Sequence, residues 1–81
     1  MSVKMEQRVS SFEIAKIAEA RLGASSHPAL RKVLCKYDDG VLVLRGRLSS
    51  FFHMQLAQET VAKIEGVERV VNQIEVVNRM I

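Results

Sequence analysis

Two histidines, one cysteine and one pair of adjacent aspartates carry most of the chemical capacity of this 81-residue chain. A metal centre would use His27 and His53 with thiolate or carboxylate partners at ligand spacing, and no such partners accompany them in the sequence. A Cys–His nucleophile needs a cleft and an oxyanion donor, and Cys35 and His53 fall on different elements. Asp38 and Asp39 are consecutive, whereas a general acid–base pair must flank one substrate bond from two sides. Their position before Gly40 reads as turn chemistry. Gly23, Gly40, Gly46 and Gly66 are each isolated, so there is no phosphate-cradling loop, and no nucleophile elbow appears. These residues predict no catalytic site, no metal and no cofactor. Cys35 reads as a small buried hydrophobe. His53 reads as a border residue at a helix start, and His27, before Pro28, as solvent-exposed.

Composition narrows the remaining classes. The length fits one domain with one modest core. The apolar share is 48%, too high for a disordered chain, and the only aromatics are Phe12, Tyr37, Phe51 and Phe52, so the core must be aliphatic. A lone cysteine excludes an intramolecular disulfide. A net charge of +3 permits an anionic partner without requiring one. Residues 1–9 are expected to form a flexible lead-in and residues 10–81 a single domain. Lys4, Glu6 and Arg8 interrupt any secretory apolar run, and no stretch reaches transmembrane length. The expected location is cytoplasmic for the chain as it stands, or the cell envelope if a leader has been removed.

The elements that must position these residues follow from periodicity. Ser10-Ser11-Phe12-Glu13 matches a capping box, and Ile14, Ile17, Ala18 and Leu22 follow at helical spacing, with Glu13, Lys16 and Glu19 lying away from them. Gly23 sits where a left-handed cap would end the helix. Residues 24–29 read as a loop. Val33, Cys35 and Tyr37 then alternate with Lys32, Leu34 and Lys36 as a first strand, Asp38-Asp39-Gly40 signals a hairpin, and Val41 to Leu48 returns as the second. Gly46, inside that strand, predicts close approach of a helix backbone. Ser49 or Ser50 caps a second helix from about Phe51 to Glu65, with Ala57, Val61 and Ile64 as its buried stripe. A last strand runs from Val67 to Val77.

The expected class is therefore α+β, in the order α-β-β-α-β, with both amphipathic helices on one face of a three-stranded sheet. Leu42, Leu44, Leu48 and Ile74 should lie under the helices. The opposite face is expected to display Lys32, Lys36, Arg45, Arg47 and Arg69 among Leu34, Val41, Val43, Val71 and Val77. Its candidate binding residues are Lys32, Lys36, Val43, Arg45, Arg47, Arg69 and Val71. The simpler alternative is a solvated face on which Lys and Arg stems lie over the sheet. Phe51 and Phe52 are adjacent at a helix start, so one is expected to staple the helix to the core. The other would be exposed with Leu56 as an apolar contact.

The run from Asp39 to Leu48 resembles the signature of the BON domain, a small bacterial α-β-β-α-β module. Gly40, Leu44, Gly46 and Leu48 match its first half, and Ala57, Gly66-Val67, Val70 and Asn72 its second, so the likeness spans about Ser11 to Val77. The resemblance implies a non-catalytic module, often of the cell envelope, for which phospholipid binding is the usual proposed role. The chain departs from the common family pattern in showing no signal sequence and no second copy. Three partner classes follow: an anionic membrane surface, a protein partner or second copy of the chain, and nucleic acid. Nucleic acid ranks last. The layout is similar to one class of K-homology domain, but that family needs a Gly-x-x-Gly loop, and no two glycines here are three apart.

Overall fold

The structure is a computed structural model, and it describes residues 10–77. The lead-in expected over residues 1–9 and the end of the domain at residues 78–81 lie outside the described residues. The first helix, α1, spans Ser11–Gly23. It starts with the anticipated capping box: Ser10 Oγ accepts from Glu13 N–H at 3.1 Å, and Glu13 Oε1 accepts from Ser10 N–H at 3.2 Å. Ile14, Ala18 and Leu22 are its buried stripe, a stride of four residues. Ile17, expected in that stripe, lies one side of it and is 39% exposed. The end of α1 also differs from expectation. Gly23 stays helical, and the cap is Ala24 in the right-handed region (φ −87°, ψ −3°), so no left-handed cap forms.

A short 3-10 helix, η1, spans Pro28–Lys32, overlapping the end of the segment read as a loop. Pro28 has no N–H to satisfy at a first helical position. The turn drives Leu30 into the core at 0% exposure. It also removes Lys32 from the first strand, so β1 is Leu34–Asp38. A two-residue hairpin follows. Asp39 (φ 43°) and Gly40 (φ 85°) both hold positive φ, as a tight hairpin turn demands. β2 spans Val41–Leu48, and α2, capped by Ser50, spans Phe51–Ala62. α2 stops short of the expected Glu65 because the chain tightens into turns, with Ile64 N–H donating to Val61 O and Val67 N–H to Ile64 O. β3 accordingly begins late, spanning Arg69–Val76.

The sheet order is β1-β2-β3, with β1 antiparallel and β3 parallel to the central strand. The parallel pair needs a crossover, which α2 supplies. Leu42, Leu44, Leu48 and Ile74 pack with Ala18, Leu22, Leu30, Val33, Ala57, Val61 and Ile64 in one core. Both helices therefore cover the leucine face of the sheet.

Three polar side chains tie the layers together. Asn72, on the covered face of β3, donates Nδ2 to Met54 O and to Gln58 Oε1, both at 3.1 Å, and its Oδ1 accepts from Ile74 N–H at 3.2 Å. Tyr37 Oη donates to Gly66 O at 2.6 Å, joining β1 to the α2–β3 connection. Glu19, expected to point away from the core, is half-buried and accepts from Cys35 N–H at 3.0 Å. That contact occupies one outward-facing N–H of an edge strand that would otherwise invite pairing.

Gly46 has close backbone contact, as expected, but from a different element. With φ +147°, a Cβ at this position would lie 3.1 Å from Lys32 O and 3.5 Å from Val33 Cα. The approaching backbone is the end of η1, not a long helix.

Candidate interaction surface

The strand register builds the uncovered face in rows. Asp38, Val41 and Arg69 form one row across the three strands. Lys36, Val43 and Val71 form the next, followed by Leu34, Arg45 and Gln73, and finally Arg47 beside Glu75. Alternation decides this placement: each residue here lies one step from a core leucine or its strand equivalent. Val41, Val43 and Val71 are half-buried, and Leu34 is 65% exposed. Lys36, Arg45, Arg47 and Arg69 are all exposed. The face is an aliphatic centre edged by cations.

Two corrections apply to the anticipated surface. Lys32 belongs to η1, and Val77 follows the end of β3, with its N–H donating to Leu48 O. The two residues meet beside Arg47 in a shallow groove also lined by Ala29, Leu48 and Ser49, at the end of the sheet rather than across its face. The face also carries two carboxylates, Asp38 and Glu75, both placed there by strand alternation. Glu75 Oε1 lies 3.4 Å from Arg47 Nε, an exposed pair that contributes little stability but locally cancels charge. Four cations thus face two carboxylates, and Arg45, in the middle of the sheet, has no carboxylate within ion-pair distance among the described residues.

The start of α2 forms a second surface. Both phenylalanines are exposed, Phe51 at 73% and Phe52 at 61%, so neither staples the helix to the core. The stripe of Ala57 and Val61 continues back through His53 and Met54, which leaves Phe51 and Phe52 on either side of it. Leu56, expected to be exposed with one of them, is half-buried against the core. His27, expected in solvent, is half-buried and packs edge-on to Phe52 and His53, at centroid distances of 5.6 and 5.5 Å. The sequence held no local signal for this contact, because η1 brings His27 across to α2.

Cys35 is half-buried on the covered side of β1. Burial, followed by the nearby Glu19 carboxylate, pushes its thiol up to about 12 from an ordinary 9.0. That opposes the thiolate a nucleophile requires. Among the described residues no three His, Cys, Asp or Glu side chains cluster, and no helix is long and apolar enough to cross a membrane.

A search of curated proteins returned no significant match. The family model of the BON domain matches residues 10–78. With that match covering every element from α1 to β3, the chain belongs to the BON domain family.

Proposed function

We propose that this chain is a non-catalytic binding module that docks on anionic phospholipid surfaces through the open face of its sheet. The observation that carries this reading is the Val41, Val43 and Val71 cluster, half-buried on a face that no element among the described residues covers and bordered by Lys36, Arg45 and Arg69. Cations near an anionic leaflet each contribute about 1 kcal/mol of attraction, and apolar groups between them dip into the interface. The raised thiol of Cys35 supports the non-catalytic half of the reading. Vesicle flotation tests it. The chain should float with vesicles that mix phosphatidylglycerol into phosphatidylcholine and stay behind with phosphatidylcholine alone. Equal binding to both, or binding to neither, defeats the proposal.

A second reading is a protein-contact module, and the observation that favours it is the exposed pair Phe51 and Phe52. Aromatic side chains are enriched at protein interfaces. A concentration-dependent dimer in sedimentation equilibrium, lost in the F51S/F52S double variant, would support this reading. A monomer at the highest attainable concentration would remove its homomeric form. Nucleic acid remains the third partner class, and a salt-insensitive or absent mobility shift with RNA and DNA closes it.

A further inference from the structure

We propose that His27 and His53 together bind a late first-row divalent ion of the Zn²⁺, Ni²⁺ or Cu²⁺ type. The two residues are 26 positions apart, yet their rings lie 5.5 Å apart with an interplanar angle of 66°. A zinc–imidazole bond of about 2.0–2.1 Å puts each ring centroid roughly 3.2 Å from the ion, so a tetrahedral angle separates two such centroids by about 5.2 Å. The observed spacing is therefore close to that of two imidazoles sharing one ion, once rotation of the rings turns a nitrogen of each toward it.

A second observation concerns the tautomer. His53 Nδ1 lies 3.0 Å from Ser50 Oγ, and the same oxygen accepts from His53 backbone N–H at 3.1 Å. A hydroxyl has two acceptor sites, so Ser50 Oγ can take Nδ1–H as well as the backbone donor. With His53 in the tautomer that donates Nδ1–H to Ser50 Oγ, Nε2 is unprotonated and available as a ligand. An outer acceptor holding the far ring nitrogen is the usual support of a metal-binding histidine. Each histidine is half-buried, and Phe52 packs at 5.6 Å from His27 and 5.4 Å from His53, which restricts both rings.

The donor set determines the ion. Two imidazoles without a thiolate or carboxylate suit Cu²⁺, Ni²⁺ and Zn²⁺ and not Mg²⁺ or Ca²⁺. Water completes the coordination. His53 sits in the first turn of α2, whose positive end opposes a cation, so the ion is exchangeable and not a folding centre.

The test uses the full chain without a histidine tag, titrated with ZnCl₂ by calorimetry and melted with and without the ion. One Zn²⁺ should bind per chain and raise Tm. H27F and H53F keep an aromatic ring in each place and remove one ligand. Each should weaken Zn²⁺ binding by at least about tenfold and abolish the rise in Tm. If both variants bind as the native chain does, the ion sits elsewhere and the proposal fails. It fails equally if the native chain shows no saturable one-to-one binding, since the three rings are then packing alone. A measurement on the native chain guards against a variant that does not fold. Substoichiometric Cu²⁺ should broaden the imidazole proton signals of both His27 and His53, and broadening of one or neither overturns the site.

Discussion

Replacing Arg45 by glutamate is the most direct probe of the open sheet face. Arg45 is exposed, sits on the central strand between Leu34 and Gln73, and has no ion-pair partner among the described residues. The substitution should therefore leave the fold intact, with a stability change within about 0.5 kcal/mol, as is usual for an isolated surface position. Its effect on docking should be much larger. Four cations against two carboxylates give the face a formal surplus of two positive charges, and reversing Arg45 removes that surplus. At about 1 kcal/mol per charge near an anionic leaflet, the loss is roughly 2 kcal/mol, or about thirtyfold in partitioning. Vesicle binding of native and R45E chains should be compared at low salt and again at about 0.5 M salt. Screening should shrink the difference, because exposed charges lose their reach once the Debye length falls well below about 10 Å. An R45E chain that binds anionic vesicles as tightly as the native one, or native binding that ignores salt, refutes the reasoning. Arg47 is a poorer probe: its reversal would set a carboxylate opposite Glu75, and a fall in stability would mix with any fall in binding.

Further outcomes are expected at Gly46, Gly23, Asn72 and Cys35. G46A should destabilise the fold by about 2–3 kcal/mol, since φ +147° is strained for any Cβ and the new methyl meets the Lys32 carbonyl, whereas G23A, helical and with nothing within 4 Å of a new Cβ, should raise stability by about 0.5 kcal/mol; urea unfolding of the two variants reads the opposite signs. N72A should cost about 1–3 kcal/mol by the same measurement, because it removes two donations to α2 and leaves Ile74 N–H without its side-chain acceptor. Stability should fall as pH rises from about 9 toward 12: the unfolded Cys35 thiol ionises near 9.0 while the folded one holds its proton to about 12, so the contribution is full below the lower value and lost across the interval. Native Cys35 should accordingly react slowly with iodoacetamide at pH 8 and speed up on denaturation, and equal rates in both states would contradict the burial argument.

What was legible beforehand tracks with how local the cause is. The capping box of α1, the Asp39-Gly40 turn and the bounds of β2 depend on residues a few positions apart, and each stands where periodicity and turn chemistry put it. The candidate surface was legible to the same degree. Val43, Val71, Lys36, Arg45, Arg47 and Arg69 share one face because a strand alternates by two, and the same rule places Asp38 and Glu75 beside them. The errors cluster where a distant segment decides the outcome. Phe51 and Phe52 resemble core residues by type, but the position of the α2 stripe, set by Ala57 and Val61 against β3 and β2, leaves both outside. Gly46 announced a close approach, but nothing near it named η1 as the neighbour.

By itself, the sequence determined the α+β class, the number and order of the main elements, and the division of each strand into an apolar and a charged side. Those follow from helix and strand periods and from φ preferences, which act within one element. Only the tertiary structure decided that η1 carries Leu30 into the core and His27 onto His53, that Asn72 and Glu19 spend their polar groups on other elements, and that, among the described residues, Arg47 is paired while Arg45 is not. Such contacts join residues far apart along the chain, and they form where packing of the aliphatic core brings the backbones together.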